Sequence, residues 1–164
     1  RYKYPKKKDE NLYRRSLYTF WKRSAPPPLM TLFDAPNRDF CATKRTLTSS
    51  PLQSLALLNN PEFIEAGRVL AEKTLSKNYN SEDELLTEIF RKVTSRCPSE
   101  NELNTLKKYY NEEYKRFREN YSNAIKYISI GEKKLNDGID PLKTAALATV
   151  INGLMNTSEA VNIY

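Results

Sequence analysis

Five helix starts are spelled out between residues 50 and 140, and they constrain the fold more than any other feature. Ser50-Pro51-Leu52-Gln53 sets a capping serine, a proline at the first helical position and a glutamine at the third. That order satisfies orphan backbone N–H groups reciprocally, as a capping box does. Asn60-Pro61-Glu62 repeats the cap-then-proline logic and adds an acid where the helix dipole favours one. Ser81 with Glu84 and Ser99 with Glu102 are two further S-x-x-E boxes, and Asp140-Pro141 opens the last segment in the same manner. Starts this dense predict an all-α fold with short connections. Only four of the 164 residues are glycine, which removes the hairpin turns and phosphate cradles that depend on it. Neither G-x-G-x-x-G nor G-x-x-x-x-G-K-[ST] occurs.

Apolar spacing agrees with the caps. Phe63, Ala66, Gly67, Leu70 and Thr74 share one face of a helix after Pro61, flanked by Ile64, Ala71 and Leu75. Leu85, Leu86, Ile89, Phe90 and Val93 do the same after Ser81. From Leu103 through Leu106, Tyr110, Tyr114, Phe117, Tyr121 and Ile125 to Ile128 the steps alternate mainly between three and four, which predicts one long helix over 100–129. Its tyrosines read as core whose hydroxyls reach the rim rather than as a ligand groove. Residues 131–140 read as a connector, with Gly138 free to take a positive φ. The 142–155 segment is apolar nearly all round and should be the most buried helix, forming the main packing pair with the long one. The expected architecture is an irregular bundle of five to six helices with a long proline-containing N-terminal loop.

Composition excludes much chemistry. Histidine is absent, and with it the usual triad base, the commonest metal ligand and any C-x-x-C-H haem attachment. Cys41 and Cys97 alone make a poor zinc site, and the plain reading is two small, mostly buried apolar side chains rather than a bridge. No run of about 18 apolar residues could span a bilayer. The net charge of +7 is uneven: residues 1–45 carry +8 and the remainder −1. Residues 1–12 read as a flexible basic arm, and 13–164 as a single helical domain. A start at Arg1, without a signal-like stretch, suggests a piece of a longer polypeptide.

Residues 12–23 place Tyr13, Leu17, Phe20 and Trp21 on one face at helical spacing, which predicts a helix, with a strand as the alternative that the aromatic content allows. Pro26-Pro27-Pro28 must stop it and favours an extended polyproline segment. The 29–49 stretch shows no period, and a loop of that length is commonly functional when ordered. The candidate binding residues are Asp34, Arg38 and Arg45, with Trp21, Arg23 and Gln53 nearby if the loop folds back. A carboxylate beside guanidinium groups suits an anionic or sugar-like ligand, and tryptophan and tyrosine faces suit sugar rings or cations. The plainer alternative is that Asp34 caps a turn and pairs with an arginine to pin the loop onto the helices. Asp34 and Asp39 could form a carboxylate pair only if they converge, so no catalytic or metal-binding residue is assigned. Basic residues interleaved with aromatics over 1–23 also admit nucleic-acid binding, which the neutral remainder and the lack of a recognisable module disfavour.

The run Tyr13-Arg14-Arg15-Ser16-Leu17-Tyr18-Thr19-Phe20-Trp21-Lys22-Arg23, followed by Pro26-Pro27-Pro28, Phe33-Asp34-Ala35-Pro36-Asn37-Arg38 and Cys41, carries a resemblance. So does Thr48 to Pro61 with Glu62-Phe63, and, near the end, Asn156-Thr157-Ser158-Glu159-Ala160. These motifs resemble the C-terminal domain of large exported proteins first described in planctomycetes, the domain of unknown function 1553 family, whose members often carry a cytochrome-c-like domain upstream. Ala160 departs from the aromatic usual there. The resemblance implies an extracytoplasmic location, in the periplasm or at the cell surface, and partners among upstream domains of the parent protein, a haem-bearing domain or a polysaccharide. It implies no catalytic residue and no cofactor in this chain. The function expected is a non-catalytic interaction or structural module, more in keeping with no enzyme than with one. The alternative is part of a carbohydrate-binding or hydrolase-like site completed by upstream domains.

Overall fold

A computed structural model of the chain describes residues 13–37, 39, 41, 43–44, 48–77, 79–136 and 138–161. The chain forms two compact units, Arg1–Ala56 and Leu57–Tyr164. The described residues are helical without a named strand, and the one isolated bridge joins Lys22 and Ala25. The helices are α1 (Pro28–Leu32), α2 (Pro51–Asn59), α3 (Pro61–Leu75), α4 (Glu82–Thr94), α5 (Glu100–Glu119), α6 (Tyr121–Ile128), α7 (Pro141–Met155) and α8 (Ser158–Val161). The all-α expectation holds.

Every start signal is realised as a hydrogen bond. The Gln53 amide N–H donates to Ser50 Oγ while Ser50 N–H donates to Gln53 Oε1. Asn60 accepts from Glu62 N–H, Ser81 from Glu84 N–H and Asp140 from Leu142 N–H. Ser99 and Glu102 complete a full capping box. Such a cap is worth about 1 kcal/mol.

In the second unit α7 is the hub. Its residues from Thr144 to Ala148 and Val150 to Asn152 are buried without a break at either run. A ten-residue apolar cluster joins it to Ala71, Leu86, Ile89, Phe90 and Leu106, and a smaller one to Phe117, Ala124 and Ile128. The span of the expected 100–129 helix, divided here into α5 and α6, packs more extensively on α7 than any other part of the chain, and α3 is the most extensive single-element partner. Gly67 favours the close approach of α3 to α7: a Cβ there would sit 3.2 Å from the Ala148 carbonyl oxygen, so a larger residue would push the two backbones apart by a few tenths of an ångström.

Four expectations are corrected. The 100–129 helix is broken at Asn120, whose φ of −136° and ψ of 75° lie outside the helical region. The 12–23 helix shrinks to one 3₁₀ turn, Ser16–Tyr18, between extended Arg15 and Thr19. With Tyr13, Leu17 and Phe20 all exposed, nothing is buried that would offset the cost of nucleating a helix. Positive φ falls at Gly131 (111°) instead of Gly138. Cys41 and Cys97 are free thiols and both exposed, not buried. The prolines behave as expected up to Pro27, which is extended (φ −60°, ψ 123°), and Pro28 then opens α1 at its first position. The 1–12 arm lies outside the described residues.

Candidate functional site

In the first unit, Asp34 follows α1 in the left-handed region at φ 55°, a conformation that aspartate tolerates better than most residues. Its Oδ2 accepts from both the backbone N–H of Thr48, at 2.8 Å, and the Thr48 hydroxyl, at 2.7 Å. Gln53, buried on α2, donates from Nε2 to the Leu32 carbonyl oxygen at 2.8 Å and to Thr48 Oγ1 at 3.1 Å. Asp34 and Gln53 therefore meet at Thr48 and clamp the two ends of the intervening loop. That is the chemistry of a loop latch: a charge-assisted pair of hydrogen bonds from one carboxylate and a bridging amide.

Arg23 Nε lies 3.4 Å from Asp39 Oδ1, an exposed pair, and Asn37 Nδ2 donates to Asp39 Oδ2 at 3.0 Å. Trp21 is half-buried. Arg38 and Arg45 lie outside the described residues.

Just ahead of the latch, apolar surface faces water. Tyr13 is 63% exposed, Leu17 73%, Tyr18 68% and Phe20 65%. The charges interleaved with them, Arg14, Arg15, Lys22 and Arg23, are all positive. Scattered exposed apolar residues are ordinary, but four within eight positions form a patch.

A second group of polar residues was invisible to periodicity. Glu65, Arg68 and Glu72 are all buried on α3. Arg68 Nη1 donates to Glu72 Oε1 at 2.6 Å and Nη2 to the Lys133 carbonyl oxygen at 2.7 Å. The Glu65 carboxylate accepts from the N–H groups of Glu132 and Lys133, each at 3.0 Å. The sequence signal was there as E-x-x-R-x-x-x-E, acid and base on adjoining turns of one face. The triad straps the connector after α6 onto α3 and leaves no charge facing solvent, which makes it a structural device. At the far end of the unit, Arg96 grips Glu102 and Glu159 at 2.6 Å each and lies 4.8 Å over the Phe90 ring. These bonds raise the Arg96 pKa and bring Glu102 down to about 2, the Arg96 hydrogen bond being the main cause.

Among the described residues no three His, Cys, Asp or Glu side chains are grouped to hold a metal ion, and no helix is long and apolar enough to cross a membrane. Neither a curated protein nor a solved structure matches the chain. Residues 1–110 match the family described as PSD1, Protein of unknown function (DUF1553), a span that takes in the exposed front segment, the loop latch, α1 to α4 and the first half of α5. The match covers well over half of the sequence and includes the motifs at 13–41 and 48–63, so the chain belongs to the DUF1553 family.

Proposed function

We propose that this domain is a non-catalytic interaction module whose docking surface is the 13–23 segment. The observation that carries this reading is the cluster of Tyr13, Leu17, Tyr18 and Phe20, each more than 60% exposed, set among positive charges alone. Interfaces are enriched in aromatic residues and arginine, and a patch of this character fits an acidic protein surface with apolar hollows. The partner we infer is a neighbouring domain of the same exported polypeptide, and a haem-bearing domain is one such neighbour. Family membership and the resemblance of the 13–41 motifs support the extracytoplasmic setting.

A carbohydrate-binding or hydrolase-like site around Asp34 draws less support. Its carboxylate already accepts two hydrogen bonds from Thr48, and Gln53 is committed to Leu32 and Thr48. The test is a titration of this chain against the remainder of its natural polypeptide, expressed separately. Saturable binding that falls at least tenfold with Tyr18→Ser and Phe20→Ser together supports the proposal. Absence of binding, or binding indifferent to both substitutions, refutes it. Nucleic-acid binding predicts instead an affinity for single-stranded DNA that collapses steeply as salt rises.

A further inference from the structure

After α7 the chain turns at Asn156 and forms α8, Ser158–Val161, a single turn far below the length at which a helix is stable alone. None of its residues is buried, and its one large apolar side chain, Val161, stays 44% exposed. What ties it down is Arg96, just past the end of α4. A guanidinium has five N–H groups, and Arg96 uses them all. Its Nε donates to Glu159 Oε1 at 2.6 Å and its Nη2 to Glu159 Oε2 at 2.8 Å. Nη1 and Nη2 donate to Glu102 Oε2 and Oε1 at 2.9 and 2.6 Å, and Nη1 also to the Cys97 carbonyl oxygen at 3.1 Å. An isolated exposed ion pair contributes little. Two bidentate carboxylates on one fork, seated over the Phe90 ring, make the geometry in which such a pair does count.

Ala160 and Val161 form one wall of an apolar hollow of about 450 Å³, whose other lining includes Phe63, Leu70, Val93 and Met155. Lys92 also lines it and is already paired with Glu88 at 3.4 Å. The hinge carries a cost when closed: Asn156 Oδ1 is buried with no hydrogen-bond partner among the described residues, and opening would admit water to it. Glu102 and Glu159 both accept from the same Nη2, so without Arg96 two carboxylates would face each other with no cation between them. Attraction through one guanidinium therefore opposes both that repulsion and the unmet acceptor. We infer that α8 is a latched strap: closed, it walls the apolar hollow, and with Arg96 disengaged it swings out about Asn156 and opens the hollow to water. The device lies in the second unit and does not depend on the docking role of the front segment.

The experiment is NMR relaxation on the intact chain. In the parent, backbone order parameters over Ser158–Val161 should lie near those of α7, at about 0.85. Arg96→Gln and, separately, Glu159→Gln should bring them below about 0.6 while α7 is unchanged. The two methionines give a second readout, because Met155 lines the hollow and Met30 lies in the other unit. Either substitution should raise the relaxation of the Met155 methyl by a soluble gadolinium chelate about twofold or more relative to that of Met30. Glu159→Gln, at an exposed position, carries the test where loss of Arg96 unfolds the chain. The inference is overturned if α8 is already disordered in the parent, if its order survives Glu159→Gln, if α7 loses order along with it in that variant, or if Met155 becomes no more accessible.

Discussion

At the scale of single residues, the most consequential choices in the fold are polar ones inside α3. Arg68 is only 1% exposed, and its guanidinium is divided between Glu72 and the Lys133 carbonyl. Removing one member of a buried ion pair strands its partner and costs about 3–5 kcal/mol. Arg68→Ala should therefore lower the unfolding free energy measured by urea denaturation by that much, and a loss under about 1 kcal/mol would show the strap to be dispensable. Gly131 completes the strap from the other side. It combines φ of +111° with a site where a Cβ would fall 2.5 Å from Glu65 Oε2. Gly131→Ala should cost at least about 2 kcal/mol, from left-handed strain plus displacement of the capping carboxylate, measured by the same denaturation. Apolar spacing marks neither residue, although Arg68 sits in the E-x-x-R-x-x-x-E run. Apolar periodicity assigns charged positions to solvent and so passes over Glu65 and Arg68. The buried face is in truth rotated toward Ile64, Gly67 and Ala71. Asp34 was legible, because an Asp followed by Ala-Pro can only turn, yet its partner Thr48 lies 14 positions on and no local rule names it.

At the scale of elements, what could be read was what is local. Caps act within three residues, and all five predicted starts are present with their hydrogen bonds. The slip at Asn120 is the counterexample. One non-helical residue there shifts the phase of everything after it, so α6 buries Ala124 and Ile128, while Tyr121 and Ile125 turn outward at 52% and 37% exposure. Asparagine competes for backbone hydrogen bonds, which makes it a natural place for such a break. Ile125→Lys should then cost less than about 0.5 kcal/mol and Ala124→Lys more than about 3, the first a surface change and the second an unpaired buried charge. Equal effects would restore the continuous stripe. The clasp at the start of α5 carries a pH signature. Glu102 is held near 2, against an ordinary 4.5, by Arg96 first and then by Ser99. Its stabilising contribution is present in full above 4.5 and is lost as pH falls toward 2. Thermal midpoints measured across that window should drop less in Glu102→Gln than in the parent, and the difference should shrink at high salt because the clasp is exposed.

At the scale of the whole chain, burial and charge divide in the same way along the sequence. The first 45 residues hold the whole positive excess, and the described part of that stretch exposes Tyr13, Tyr18 and Phe20. The apolar clusters lie entirely beyond residue 70, around α7. Over 13–25 the exposed side chains of Tyr13, Leu17, Tyr18 and Phe20 leave little buried apolar surface to oppose local opening, and the N–H groups of Tyr18, Thr19 and Ala25 donate to the carbonyls of Arg15, Ser16 and Lys22. Opening free energies in a native protein run from about zero at such places to the global stability in the core. Hydrogen exchange on the intact chain should therefore find the amides of 13–25 close to intrinsic rates and those of Ala145–Leu154 protected at least about a thousandfold. This contrast bears directly on the docking proposal, because a segment that orders on binding gains protection only when its partner is present. Slow exchange over 13–25 in the free chain would mean that the aromatic patch is already held in place, and would remove the ordering step from that account.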